Sequence, residues 1–402
     1  MKILIYTPIN DAGHLNFWHN EIVEILTRQG HKVVIVHPKN CLNLTLFQNI
    51  RMKNEDHFAS KEVVSIRTIS IFMLKKILGK KNYQKFRTFL KGDPVDIPIN
   101  SIKDQFSTPL DLYRQVALNL LLEKDVDLIF YTYFDFFSKD FLAIFPEVTK
   151  MLEKPWVALI FHPKKEQIET LIKSVNCKRI GVVSEAAYKE LKELTKVPVA
   201  LISDFIPDYP SRFELSREYS KKTISLIGSL SERKNLDLFI SAAFSKKGKD
   251  FNWLIYGQLS KDNLKFITKM RLNKLIYFKP KHIKFKFSYL SDTEFNEVIN
   301  STSIIFLAYK NWFQASNLLT HAAFNRIPVI ASQGFEIGEL VNEFSLGILL
   351  RENNRKNLFQ AIKALSEYVV PEASAELYLE RFSRKNFEKS ILNLVSKEIS
   401  NA

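Results

Sequence analysis

The sequence predicts an α/β protein made of two doubly wound domains in tandem. Three observations predict it. Short apolar runs alternate with longer amphipathic ones along the chain. The alternation breaks at a proline-containing stretch near the middle and then starts again. A chain of 402 residues with 46% hydrophobic content is also too long for one ordinary domain and suits two. Apolar strands spaced by helices are the mark of parallel sheets covered on both faces.

The elements follow in order. Lys2–Pro8, "KILIYTP", is a strand. His14–Gly30 carries an apolar stripe at Phe17, Ile22, Ile25 and Leu26 and ends in a glycine suited to a C-cap. His31–Pro38 is the next strand, closing a strand–helix–strand unit. Strands are expected at Val126–Phe134, Trp156–Pro163 and Arg179–Glu185. A helix over Glu185–Thr195 and a strand "PVALISDF" follow. Asp204–Lys222 has two prolines, mixed charge and no period, and reads as a linker. Beyond it, strands are expected at "TISLIGSL", "NWLIYGQL", "LIYFKP", "SIIFLAY" and "IPVIAS". Helices are expected at "KNLDLFISAAFS", "DTEFNEVINS" and "NRKNLFQAIKALSEYV". The expected layout is a first domain over 1–205, a linker over 206–222, a second domain over 223–380 and a terminal helix over 381–402.

Charge and cysteine content set further bounds. The net charge is +15, which attracts nucleic acid, anionic lipid or phosphorylated ligands. No nucleic-acid recognition motif or stacking pattern accompanies it, so no nucleic-acid partner is expected. The region 65–99 interrupts the first half. Within it Leu74–Gly92 holds seven Lys/Arg and no acid, with apolar residues at helical spacing. Such a helix can lie on an anionic membrane or turn its stripe to the domain core. No apolar run is long enough to span a bilayer, and the first residues lack a signal-peptide layout. Cys41 and Cys177 are far apart, without CxxC spacing, and read as reduced thiols. A cytoplasmic protein is expected, peripheral on the inner membrane face if the insert docks there.

Two loops carry chemistry. In Ile224–Ala243 a strand leads into Gly228, then a polar loop with Arg233 and Lys234, then a helix. Glycine at a strand end lets backbone approach a ligand, and a cation at the next helix head suits phosphate. In Phe313–Ser332, "FQASNLLTHAAFNRIPVIAS", a helix starts near Ser316 between two apolar runs. The N–H groups of Asn317 and Leu318 would then point from a strand end, where they can hold an anion, with Lys310 just before them. Simple capping by Ser and Asn is the plainer alternative.

These residues resemble the donor domain of the retaining GT-B glycosyltransferases, family 4-like, and the resemblance extends over nearly the whole chain. The family's "G-R-L-x-x-x-K-G" is similar to "GSLSERKN", matching at Gly228, Leu230 and Lys234. Ser229 replaces the family's Arg, with Arg233 available for the charge. "A-x-x-x-G-x-P-V-I-A" is matched at Ala322, Pro328, Val329, Ile330 and Ala331, with Arg326 in place of Gly. "G-G-x-x-E" resembles Gly334 to Glu339, with Glu339 in the acidic position. Where the family has paired Glu, this chain has Phe313 and His321. "QASN", Gln314 to Asn317, resembles the helix head of divergent members. In the first half Gly13 and His14 fall on the family's loop near donor phosphates and acceptor. His162 falls at the end of a strand that faces the cleft.

The resemblance implies two facing Rossmann-like domains with an interdomain cleft. It implies a sugar moved from a nucleotide diphosphate sugar to a glycan or lipid-linked acceptor, with retention of configuration. Lys234 and Arg233 would supply the cation, and His162 would line the site. Gly13, Gly228, Ser229, Lys310, Gln314, Ser316, Asn317, Leu318, His321 and Glu339 would bind donor, and His14 would lie on the acceptor side. Neither a metal nor another cofactor is expected. A non-catalytic nucleotide-sugar-binding scaffold and a same-fold epimerase are the alternatives.

Overall fold

The computed structural model describes residues 1–6, 14–37, 58–62, 125–137, 139–161, 163–205, 222–259, 264–311 and 316–396. The expected insert at 65–99 and most of the linker lie outside them. The chain forms two compact units, one of residues 1–202 with 388–402, the other of 203–387.

The first unit is a parallel seven-stranded sheet in the order β3-β2-β1-β4-β5-β6-β7. Its strands are β1 (Lys2–Tyr6), β2 (Lys32–His37), β3 (Phe58–Glu62), β4 (Leu128–Tyr131), β5 (Trp156–Ile160), β6 (Cys177–Val182) and β7 (Val199–Leu201). Helices α1 (His14–Arg28), α2 (Lys139–Leu152), α3 (Lys165–Lys173) and α4 (Glu185–Leu194) cover it. Ile3 to Tyr6, Ile129 to Tyr131 and Ala158 to Ile160 are fully buried, as strands covered on both faces require. Ile22, Ile25 and Leu26 of α1 are also fully buried, and Gly30 closes the helix at φ 75°. Order reverses between β1 and β4, which pair Ile3↔Leu128 to Tyr6↔Tyr131.

The second unit is a parallel six-stranded sheet in the order β10-β9-β8-β11-β12-β13. Its strands are β8 (Thr223–Ile227), β9 (Asn252–Tyr256), β10 (Ile283–Lys286), β11 (Ile304–Leu307), β12 (Val329–Ser332) and β13 (Gly347–Leu350). Its helices are α5 (Leu236–Ala243), α6 (Phe266–Phe278), α7 (Asp292–Asn300), α8 (Asn317–Phe324), α9 (Glu336–Glu343), α10 (Arg355–Ala364) and α11 (Glu372–Arg381). Helix α12 (Arg384–Val395) begins in this unit and ends in the first. There Arg179 donates to the Asn393 carbonyl and, at 2.7 Å, to Ser396 Oγ. Among the described residues no helix is long and apolar enough to cross a membrane.

The structure departs from the sequence expectations in several places. "LIYFKP" is the end of α6, and the strand comes later, at Ile283–Lys286. Thr268, Leu272 and Leu275 are buried at helical spacing, and Lys279 closes the helix in the left-handed region at φ 40°. The closing stretch Tyr378–Val395 is two helices rather than one. Ser383 starts the second, its Oγ accepting from Asn386 N at 3.3 Å, which caps a new helix. Helices α2 and α3 and strand β3 have no counterpart in the sequence reading.

Candidate active site

In the second sheet the order reverses between β8 and β11, which pair at Ile304↔Ile224 and Ile305↔Ser225. Loops leaving the C-terminal ends of such a strand pair flank the crevice where open α/β sheets hold ligands. These are the two loops in which Gly228 to Lys234 and Lys310 to Leu318 lie. They touch directly, since Lys310 N donates to the Arg233 carbonyl at 2.7 Å.

The β8 loop is built on two special backbone positions. Gly228 sits at φ 96°, where an L side chain is strained, and a Cβ there would come within 2.7 Å of Lys234 Nζ. Gly257, after β9, sits at φ 138°, and its Cβ would lie 1.9 Å from the Gly228 carbonyl oxygen. Two glycines thus let adjacent strand ends approach each other and the lysine. A single 3-10 turn, Glu232–Lys234, then leads through Asn235 at φ 56° into α5. Glu232 anchors the turn by accepting from Lys265 N at 2.8 Å and from the Thr268 hydroxyl.

Lys234 is only 5% exposed. Its ammonium donates to the Ile227 carbonyl and lies 5.2 Å from the Tyr309 ring centroid. No carboxylate pairs with it among the described residues. The Arg233 guanidinium also lies near this ring, 6.0 Å from its centroid. Burial pulls the Arg233 pKa below the usual guanidinium range, opposed by the neighbouring Tyr309. Tyr309 is 3% exposed and its hydroxyl has no hydrogen-bond partner among the described residues. The amide nitrogen of buried Asn235 is likewise without one. A buried charge and a buried hydroxyl therefore lie near one another at the switch point with few partners, which is costly unless a ligand completes the set. Lys310 is half-buried, and Ser229 is exposed on the loop.

Leu318 and Leu319, at the head of α8, share a buried cluster with Ile227 of β8 and Leu307 of β11. Ser316 occupies the N-cap position, with an extended backbone, but its side chain makes no capping bond. Instead its carbonyl accepts from Leu319 N at 2.7 Å. The Ser316 side chain therefore does not cap this helix. Asn317 and Leu318 are the first helical residues, whose N–H groups a helix's own ladder leaves without acceptors. His321 lies one turn on, its ring 4.6 Å from that of Phe295, tilted edge-on. Burial pushes its pKa down to about 4, so the imidazole is neutral near physiological pH. Arg326 takes φ 52°, the left-handed position that glycine favours, and donates to the Val370 carbonyl at 3.0 Å.

Glu339 is in the first turn of α9 but exposed, whereas Glu336, three residues earlier, is buried at 6% exposure. The family resemblance points to Glu339; Glu336, which the sequence reading did not single out, is the buried acid of this helix. Gly338 lets this helix sit close to β12, since a Cβ would lie 2.2 Å from the Ser332 carbonyl oxygen.

Gly13, His162 and Gln314 lie outside the described residues, and so does Phe313. His14 is the first residue of α1, and its side chain is outside the description too. The ends of β1, β4 and β5 in the first unit instead gather an aromatic cluster that sequence reasoning did not pick out. His19 is buried and bonds Thr132 Oγ1 at 3.0 Å, while Thr132 Oγ1 donates to the Tyr6 carbonyl at 3.1 Å. The His19 ring stacks on Tyr133 at 5.0 Å, Tyr133 stacks on Phe161 at 4.6 Å, and Trp18 leans on Phe161 at 5.0 Å. Asp135 accepts from Phe161 N at 2.9 Å, fixing the backbone just before position 162. The signal available in the sequence was "NFWHN" one helical turn after His14.

Two parallel, doubly wound units define the GT-B fold. Solved structures with this fold match the chain over almost its whole length. A glycosyltransferase from Rickettsia africae is 15% identical, with 99% of each chain covered and a TM-score of 0.66. The lipopolysaccharide outer core galactosyltransferase WaaB is 10% identical, with 98% of this chain and 99% of that one covered and a TM-score of 0.65. HepE from Anabaena, solved in complex with UDP and glucose, is 12% identical, with 97% and 98% covered and a TM-score of 0.63. No protein-family model matches the chain, and no curated protein matches it.

Proposed function

We propose that the protein is a glycosyltransferase that moves a sugar from a nucleotide diphosphate sugar to a glycan or lipid-linked acceptor in surface glycoconjugate synthesis. One observation carries the reading: the buried ammonium of Lys234 at the sheet's switch point, beside the Tyr309 hydroxyl, with neither a carboxylate for the one nor a hydrogen-bond partner for the other among the described residues. A site of this kind suits a bound anion. The fold is that of HepE, which was solved with UDP and glucose.

In the proposed reaction the bond between the anomeric carbon and the outer phosphate oxygen breaks. The electron pair stays on the nucleoside diphosphate. The acceptor hydroxyl oxygen bonds to the anomeric carbon on the face of the leaving group and passes its proton to the departing phosphate oxygen. Charge grows on the leaving diphosphate, and groups aimed there lower the barrier. Lys234, Arg233 and Lys310 supply positive charge, and the amides of Asn317 and Leu318 supply donors. Gly228 gives the phosphates access to backbone, with Ser229 at the rim. Gln314, Ser316, His321 and an acid of α9, Glu339 or the buried Glu336, hold the rest of the donor. Gly13, His14 and His162 line the acceptor side, where His162 orients rather than deprotonates. Side chains and amides carry the charge in this scheme, without a metal. A family 4-like relationship, retention of configuration and docking of residues 74–92 on the inner membrane face complete the reading.

A second reading, a nucleotide-sugar-binding protein without turnover, is favoured by the packing of His321 against Phe295 where the resembled family has a carboxylate. Turnover separates the two. The protein is incubated with a panel of nucleotide sugars, with and without membrane-extracted acceptors, and free nucleoside diphosphate is measured. Release that depends on acceptor supports the transferase. Binding without release supports the second reading, and conversion of the donor sugar alone would point to an epimerase.

A further inference from the structure

Seven of the twelve large hydrophobic side chains exposed among the described residues lie between Phe266 and Tyr289. Most are on α6. Thr268, Leu272 and Leu275 of this helix face the core. Phe266, Met270 and Tyr277 recur at i, i+4 and i+11, which places them in one line on the opposite face. Phe266 is 78% exposed, Met270 55% and Tyr277 82%. Ile267 and Phe278 run beside that line, and Lys274 interrupts it. The helix is therefore apolar on two faces, and only one is explained by the fold.

The charge around the second face has one sign. Residues 264–291 contain eight Lys/Arg and no Asp or Glu. Arg271 pairs with Asp237, and Lys286 pairs with Glu294. The other six cations have no ion pair among the described residues. Lys284 lies on β10, an edge strand, where lysine blocks unwanted strand pairing. That purpose does not account for the stripe on α6.

We propose that this face of the second unit docks on an anionic lipid bilayer. Aromatic and aliphatic tips would enter the headgroup boundary while lysines contact acidic headgroups. Charge selects this occupant. A second copy of the same face would bring like charges together, and the segment 74–92 is itself cationic, with seven Lys/Arg and no acid. Ile267, Met270 and Ile276 have no stacking surface for bases but suit hydrocarbon. Docking through this face does not depend on the donor site.

The test is sedimentation of the full chain with vesicles of phosphatidylcholine alone or mixed with phosphatidylglycerol. Binding is expected only to the mixed vesicles and should fall as salt rises. Each cation near such a surface contributes about a fivefold gain, so Lys269→Glu with Lys274→Glu should weaken binding by at least about 25-fold. Phe266→Ser with Met270→Ser and Tyr277→Ser should weaken it about tenfold or more at unchanged melting temperature, since all three side chains are exposed. Failure of the wild type to bind mixed vesicles overturns the proposal, as does binding that neither variant alters. A wild-type dimer that the serine variant dissolves would assign the face to self-association and overturn it as well.

Discussion

Replacing Lys234 by Met separates a ligand-binding cation from a structural one by the sign of its effects. In the unliganded protein two contributions oppose each other. Removing a buried ammonium without a carboxylate partner relieves a desolvation cost of several kcal/mol. Losing its bond leaves the Ile227 carbonyl short of a donor, at about 1–3 kcal/mol, and ends a cation–π contact of about 1 kcal/mol. Met fills most of the same volume, so packing changes little. Unliganded stability should therefore move by no more than about 2 kcal/mol, a few degrees in melting temperature. Binding of nucleoside diphosphate should respond far more strongly. Truncating one member of a desolvated charge pair costs about 2–5 kcal/mol. That is a loss of about 30-fold to several thousand-fold in affinity. Calorimetric titration of wild type and variant measures the affinity, and thermal unfolding without ligand measures the stability. A large drop in melting temperature with unchanged nucleotide affinity would overturn this assignment. It would make Lys234 a tie between the turn and the strand end.

Other substitutions test neighbouring parts of the site and the fold. Tyr309→Phe removes a hydroxyl without a partner, so unliganded melting temperature should hold or rise, while donor affinity falls about fivefold or more; titration checks the second effect. Gly257→Ala places a Cβ 1.9 Å from the Gly228 carbonyl oxygen, and should cost about 3 kcal/mol or more in denaturant unfolding. His321 has a pKa of about 4 in the folded protein against the ordinary 6.5 of an unfolded chain, so the unfolded chain binds its proton first as pH falls. Its contribution is present above about 6.5, is lost as pH falls towards about 4, and amounts to at most about 3 kcal/mol. His321→Gln should flatten the stability profile in that window. Ser184→Ala removes the cap that accepts from Ala187 N at 3.3 Å, and should cost about 1 kcal/mol in thermal unfolding.

Much of this architecture was legible because parallel strands buried on both faces read as apolar runs. "KILIY", "WVALI" and "SIIFL" need no partner information to be recognised. "LIYFKP" misled for the same reason. It has a strand's composition, but its outward residues, Tyr277 and Phe278, belong to an exposed helix face that period alone does not reveal. The β8 loop was legible because Gly228, Arg233 and Lys234 are close in sequence and the structure keeps them at one strand end. Tyr309 was not, since a tyrosine at the end of an apolar run looks like core until its hydroxyl is seen without a partner. That Glu336 is buried and Glu339 exposed depends on which side of α9 turns inward, which a motif resemblance does not contain. The cluster of His19, Tyr133 and Phe161 joins a residue of α1 to two strand ends more than a hundred residues further along the chain, so only folding brings it into view.

The proposed transferase reading rests on the switch point of the second unit binding a nucleoside diphosphate. Thermal unfolding of the wild-type chain in a panel of UDP, GDP, ADP and TDP and their sugars measures this without further assumptions. Saturating one site at a hundred times its dissociation constant adds about 2.7 kcal/mol of stability. One base series should raise the melting temperature, diphosphate and sugar alike, while the others leave it unchanged. A melting temperature unmoved by every nucleotide in the panel would contradict the proposed site.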